Sequence, residues 1–351
     1  MSSIPEPLLV ALIGLFGGAV LGLASRLGRF CTMGAIEDYL YAQNDTRLRM
    51  WGTAIGAAIT GTFLLAHAGY LDLGQTYYYS VAWIPLASIL GGLMFGYGMA
   101  LAGNCGYGAL ARLGGGDMRA FVIVLVMGVS AYAVLQGPLS YIRVWAFPQG
   151  IPQPEIAQGY AHLIAKYTGL QPTLIGIIVG LVLIGWMISS SDFRSQPKYI
   201  AWGFGVALAI VSGWAGTQWV AETGFAALPV VSHSFSAPLG ESILYIMTAS
   251  GRDLSFAVGS VTGVLLGAFI GSLIKGHFRW EACEDPRELK RQIFGAILMG
   301  AGAVIALGCT VGQGITAFST LTYSAPVTFV AIFIGAAFGL RQLITGFEPA
   351  E

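Results

Sequence analysis

The sequence predicts an all-α polytopic membrane protein, with about nine transmembrane helices joined by short re-entrant helices and loops. Three observations carry that prediction. Only 10% of the 351 residues are charged, where a soluble globular domain has about 25%. Glycine occurs fifty times, about twice its ordinary share, and glycine lets membrane helices approach closely or break. Apolar stretches long enough to cross a hydrocarbon core of ~30 Å recur along the whole chain.

Taken in order, the stretches are 8–25, 50–70, 83–103, 119–137, 172–189, 199–213, 254–274, 291–308 and 325–343. No Lys or Arg precedes residue 8, so the first reads as a span, not as a secretory signal with its basic leading segment. Small residues four apart, as in Gly14/Gly18/Gly22, Gly92/Gly96 and Gly263/Gly267/Gly271, mark faces where helices pack closely.

Charge tests the count of nine. Residues 26–49, 104–119, 190–198, 275–291 and the C-terminal end fall on one side, with fourteen of the seventeen Lys and Arg. The other side has only Arg143, Lys166 and Arg252. That asymmetry is the positive-inside signal, and it puts the N-terminus outside and the C-terminus in the cytoplasm. Net charge is zero and there is no basic stripe, so nucleic-acid binding is not indicated. No nucleotide-binding motif is present. The cysteines Cys31, Cys105, Cys283 and Cys309 are too few and scattered for a disulfide scaffold and show no zinc spacing. The histidines form no metal set, and Met94, Met99, Met127 and Met299 read as gap fillers.

The chain also repeats itself. At one offset of 204 residues, Ile89, Gly91, Gly96, Gly98, Ala102, Cys105 and Gly108 match Ile293, Gly295, Gly300, Gly302, Ala306, Cys309 and Gly312. The same offset pairs Glu37, Leu40 and Tyr41 with Glu241, Leu244 and Tyr245. A single transport domain, 1–351, is therefore expected as two halves, about 8–137 and 199–345, with a connector of about 138–198. Equivalent spans are five apart, an odd number, so the halves are inverted. Inverted repeats put a substrate path at their interface, and short Gly- or Pro-interrupted segments at matching places point to it.

Four such breaks occur, at 28–43, 103–112, 232–249 and 308–320. Each reads as a turn followed by a helix too short to span, tolerated at membrane depth only where it lines a cavity or is buried in protein. Three carry a cysteine. The fourth carries Ser236 after Phe235, as Cys31 follows Phe30. Short-helix N-termini present free N–H groups and the positive end of the dipole, which suits an anion. Neutral thiols beside them suit a soft, polarisable one. A single membrane cysteine is most often a small packing residue; three at breaks and none within a regular span point to a path. The expected substrate-binding residues are Cys31, Cys105 and Cys309 with Thr32, Asn104, Gly106, Gly308, Thr310 and Ser236. Glu37 and Glu241, which would repel an anion, are expected to face away and bind backbone donors. Arg29 and Arg112 read as topology-setting surface arginines, and Cys283 as an incidental loop thiol. No cofactor and no catalytic residue are expected.

The segments RFCTMGAI, AGNCGYGALARLGGGDMRA, SFSAPLGESILYIM and ALGCTVGQGITA resemble the signature segments of the YeeE/YedE sulfur-transport family. The resemblance covers nearly the whole chain and all four breaks. It implies an hourglass of nine spanning helices, with four loops meeting at a constriction, and thiosulfate uptake across the bacterial inner membrane. It also implies that Cys31, Cys105 and Cys309 hand thiosulfate along by S–H···S hydrogen bonds, and that a small cytoplasmic TusA-like sulfur carrier is a partner. Span parity orders the passage as Cys309, Cys105, Cys31. Such a relay needs neutral thiols, because a thiolate has no proton to donate. Other sulfur or selenium cargo, a soft-metal permease and a membrane sulfurtransferase are the competing expectations. A permease would hold its metal on three thiolates; a sulfurtransferase would need a low-pKa thiolate.

Overall fold

A computed structural model describes residues 5–148, 158–282 and 285–346. Its elements are sixteen α-helices, two short 3-10 turns (Leu73–Gln75 and Ala249–Gly251) and one π-helical turn, with only isolated bridges and no strand among the described residues. In order they are α1 Glu6–Gly28, α2 Thr32–Tyr41, α3 Thr46–His67, α4 Tyr77–Ser80, α5 Pro85–Ala102, α6 Gly106–Leu113, α7 Met118–Leu135 and α8 Ser140–Ala146. Then follow α9 Tyr160–Thr168, α10 Pro172–Ile188, α11 Ser191–Arg194, α12 Pro197–Thr223, α13 Ala237–Thr248, α14 Phe256–Lys275, α15 Pro286–Ile305, the π turn Gly312–Ala317 and α16 Ser324–Thr345.

The helix ends follow local chemistry. Proline opens α5, α10, α12 and α15, where its missing N–H costs nothing and its fixed φ suits the first turn. Gly103 ends α5 and Gly276 ends α14 in the left-handed conformation, with φ of 75° and 67°, which glycine adopts without a Cβ penalty.

Each of the nine apolar stretches coincides with one long helix, but not all nine meet a simple test of length and apolarity. Seven do, and an eighth does if α9 and α10, bent by 113° at their junction, count as one span. α15 falls outside because its first turns carry Arg287, Glu288, Lys290 and Arg291. α12 is longer than the apolar stretch 199–213 suggests, reaching Thr223. Its second half carries Thr217 and Gln218, which are buried, so protein rather than lipid solvates them. The chain is an all-α polytopic membrane protein.

Packing pairs come in twos. α1 lies along α14 as α12 lies along α3; α5 lies along α16 as α15 lies along α7. α13 packs on α7 and α2 on α16, while α1 meets α12 and α5 meets α15. Under the 204-residue offset each of these contacts maps onto another or onto itself. The α5–α15 interface shows it atom by atom. A Cβ on Gly98 would lie 2.5 Å from the Gly295 carbonyl oxygen, and one on Gly302 would lie 2.7 Å from that of Gly91. Those separations leave no room for a methyl, so glycine is what brings the two backbones together. The small-residue faces read from α1 and α14 meet in the same way, with a Cβ on Gly14 3.0 Å from the Ser260 nitrogen and one on Gly263 3.0 Å from the Gly18 Cα.

Candidate functional site

The four breaks meet at the centre of this bundle. Cys105 caps α6 from an extended conformation, and its Sγ accepts the Gly108 N–H at 3.4 Å. Cys309 repeats the arrangement: its Sγ accepts the Gly312 N–H, also at 3.4 Å. It accepts the Phe235 N–H at 3.2 Å as well, with Ser234 Oγ 3.9 Å away. The third and fourth breaks are thereby joined through one sulfur. Cys31 caps α2 from extended backbone but makes no cap hydrogen bond. Cys105 and Cys309 are buried and Cys31 is half-buried. Cys105 lies beside Thr310 and within electrostatic reach of both other thiols.

Two cavities approach this cluster. The first, about 530 Å³, is lined by Cys31, Asn104, Gly108, Arg29, Arg112 and Lys275, among others. The second, about 480 Å³, is lined by Ser234, Ser236, Gly308, Tyr78, Glu241 and Arg143, among others. α1 gives Ser25 and Arg26 to the first, with Arg29 just past its end, and Val10 to the second. Fifteen residues of helix separate Val10 from Ser25, or ~22 Å at 1.5 Å per residue. The cavities therefore open at opposite ends of the bundle. Between them lie the buried thiols and a packed aromatic group. Phe30 stacks on Trp51 at 4.5 Å and meets Tyr107 at 6.5 Å, and Tyr107 meets Phe235 at 5.4 Å.

The other expected residues sit in the same place. Thr32, Asn104 and Thr310 are buried; Thr32 and Asn104 each have a side-chain oxygen without a hydrogen-bond partner, and the Thr310 hydroxyl lies against the Cys105 thiol. Leaving a buried polar atom unpaired costs about 1–3 kcal/mol, so the two orphan oxygens beside the thiols mark a site built for something polar to arrive. Gly106 makes close approach possible: a Cβ there would lie 2.7 Å from both the Met127 Sδ and the Phe235 carbonyl oxygen. Ser236 opens α13 and, with Gly308, faces the second cavity. Cys283 lies outside the described residues.

Two expectations need correction. Glu37 and Glu241 do not turn away from the path: Glu37 lines the first cavity and Glu241 the second. Glu241 Oε1 accepts a hydrogen bond from the Ser255 hydroxyl at 2.5 Å rather than from backbone. Each carboxylate projects from the short helix after its break, and that helix forms a cavity wall. Arg29 and Arg112, read as surface arginines, are exposed, but to the inside of the first cavity.

Sequence reasoning missed two side chains. Gln313 is fully buried; its Nε2 donates to the Ala306 and Leu307 carbonyls at 3.0 and 3.1 Å, and its Oε1 is unpartnered. A lone amide in the apolar run VGQGITAF was the available signal. Tyr78, inside TYYYS, donates its hydroxyl to the Gly312 carbonyl at 2.8 Å and reaches the neighbourhood of Cys309; nothing in its local sequence pointed there. No three His, Cys, Asp or Glu side chains come together as a metal-ligating group among the described residues.

Known proteins share most of the length of this chain. The thiosulfate transporter TsuA of Spirochaeta thermophila is 25% identical over 332 residues, covering 92% of this chain and 96% of that protein. The thiosulfate transporter TsuA of Escherichia coli is 23% identical over 366 residues, covering 92% of each. The family described as sulphur transport matches residues 27–338. That match takes in all four breaks, and the chain belongs to the sulphur transport family.

Proposed function

We propose that this protein carries thiosulfate inward across the bacterial inner membrane, along a central path lined by Cys31, Cys105 and Cys309. The observation that carries the reading is the position of the thiols. Cys31 lines the first cavity, Cys105 lies within electrostatic reach of both Cys31 and Cys309, and all three stand at the start of short helices beside buried polar atoms that lack partners. A dianion at membrane depth costs at least ~3 kcal/mol per charge. Helix ends and the hydroxyls of Thr32 and Thr310 offset that cost, and the thiols favour the terminal sulfur over a harder oxygen. Relatives that share nearly the whole length of the chain are named for the same cargo.

The fourteen-to-three distribution of Lys and Arg supports a cytoplasmic first cavity and a periplasmic second one, with the N-terminus outside and the C-terminus inside. The paired helix contacts support two inverted halves, 8–137 and 199–345. Passage then runs from Cys309 to Cys105 to Cys31, and a TusA-like sulfur carrier is the partner that takes the cargo on the inner face. The test is uptake of labelled thiosulfate, against sulfate, sulfite and selenium analogues, in cells lacking other importers. Thiosulfate uptake well above that of the others is expected; preference for a selenium compound or sulfite would replace the cargo, and no uptake of any would remove the reading.

A further inference from the structure

The first cavity holds more positive charge than it balances. Arg26, Arg29, Arg112 and Lys275 line it, and among the described residues none of the four makes an ion pair. Of the carboxylates nearby, Asp117 and Glu281 pair with Arg119 and also lie within the field of Arg26, and Asp38 pairs with Arg47. Glu37, outside any ion pair, lies within the field of Arg47 and Arg112, so three lining carboxylates face six lining Arg and Lys side chains. The cations also lie within each other's field, Arg26 near Arg112 and Lys275 near Arg26 and Arg29. Several are held in place. Arg26 Nε donates to Ser272 Oγ at 2.7 Å, and Lys275 Nζ donates to the Arg26 carbonyl.

Like charges crowded around a concave wall repel one another and focus a positive potential into the space between them. The first turn of α2, uncapped at Cys31, adds free N–H groups to the same wall. The second cavity is built differently. Its Arg143 is spent on the Val134 and Leu135 carbonyls and its Glu241 on Ser255.

We propose that the first cavity is a second anion site, selective for charge and not for sulfur, which takes a divalent tetrahedral oxyanion after the thiols release it. This rests on the transport reading only for the order of events; the site itself needs neither thiols nor movement of cargo. Any such oxyanion, sulfate included, competes for it, so sulfate on this side slows exit of the cargo. The pull of the cations on the leaving anion gives the path two stations of different chemistry, which is what lets an ion enter one site as it leaves the other.

The experiment is calorimetric titration of sulfate into the purified full-length protein at low ionic strength. Sulfate is expected to bind wild type and Cys105→Ala alike, and to bind more weakly as salt is raised. Arg29→Gln with Arg112→Gln is expected to weaken it at least tenfold, and Arg29→Lys with Arg112→Lys to keep it within threefold. Arg29→Gln alone, at least threefold weaker, serves if the double variant does not fold. Absence of sulfate binding in wild type, or equal binding in the Gln variants, overturns the proposal. So does sulfate binding that nanodiscs of anionic lipid abolish while neutral ones do not, because a headgroup phosphate is then the occupant. Failure of thiosulfate uptake with charge-dependent sulfate binding intact would remove the transport reading and leave this site standing.

Discussion

At Cys105 and at Cys309 the sulfur accepts the N–H three residues on, at the same 3.4 Å, and there the likeness of the two breaks ends. After Cys105 the chain continues as α6, a regular helix of eight residues. After Cys309 it widens into the π turn Gly312–Ala317, every residue of which is buried. Its surroundings tie that turn down: Tyr78 donates to the Gly312 carbonyl, Thr316 to the His233 carbonyl at 2.6 Å, and Trp214 to Ser319 Oγ at 2.9 Å. In the first break, Tyr107 donates to the Leu21 carbonyl at 2.5 Å. π turns are rare, and they persist where neighbours hold them, often at functional sites. One repeat-related pair thus contains a clamped thiol with two N–H donors and a looser one with a single donor.

The largest expected effect separates function from folding at this pair. Cys105→Ala and Cys309→Ala should each lower thiosulfate uptake at least ~100-fold, the scale set by losing specific polar contacts in a buried site. Only Cys309→Ala should also cost about 2 kcal/mol of stability, since it strands two buried N–H groups. Cys31→Ala should lower uptake less, as Cys31 stands at the cavity wall and its sulfur accepts no cap hydrogen bond. Uptake assays beside thermal unfolding of the detergent-purified variants check this. Equal tolerance of Cys105→Ala and Cys309→Ala would return both to packing residues.

Next comes the glycine three residues on. A Cβ on Gly312 would lie 2.6 Å from the Ser234 Oγ and 3.2 Å from the Tyr78 hydroxyl, whereas one on Gly108 meets nothing nearer than the Asn104 Cβ at 3.3 Å. Gly312→Ala should therefore destabilise by about 2 kcal/mol through overpacking. Gly108→Ala should be near neutral, because the better helix propensity of alanine offsets a small shift of Asn104. Similar unfolding temperatures for the two would show that the clamp around the π turn yields.

Tyr78→Phe tests the clamp from the other half of the chain. It removes the side-chain hydrogen bond to the Gly312 carbonyl, at a cost of about 1 kcal/mol. Because Gly312 supplies an N–H to Cys309, uptake should fall several-fold, with Vmax affected more than KM. Unchanged uptake with lowered stability would make Tyr78 a packing residue only.

How far the fold could be read ahead follows from which signals are local. Apolar length and glycine spacing showed the long helices, and Cys–Gly steps showed the breaks, because both are properties of contiguous sequence. The ten further residues of α12 were hidden because Thr217 and Gln218 look polar until the neighbours that bury them are known. The π turn was hidden too, since no residue type in VGQGITA calls for it; Tyr78, some 234 residues away, supplies the partner. Glu37 and Glu241 were turned the wrong way by an argument about repulsion, which ignored that the short helices themselves form the cavity walls. Arg29 and Arg112 were legible as basic residues on one side, but not as lining a concave space.

The smallest effect lies just before the two cysteines, where the offset pairs Gly103 with Leu307. Both residues are left-handed, with φ of 75° and 59°. An L-residue pays roughly 1–2 kcal/mol for that conformation, so the second half carries a strain that the first avoids. A Cβ on Gly103 would meet nothing within 4 Å, which makes Gly103→Ala a measure of conformation alone, expected to cost about 1 kcal/mol. Leu307→Gly should release a comparable strain but give up the packing of a half-buried side chain, about 1–2 kcal/mol, and so leave stability nearly unchanged. If the π turn and its hydrogen bonds are what hold Leu307 in place, the pair of changes should not be additive with Tyr78→Phe. Tyr78→Phe should then cost less in the Leu307→Gly background, where the chain no longer needs to be held. Unfolding of the two single variants and the double variant decides it, and strict additivity would separate the strain at Leu307 from the clamp behind Cys309.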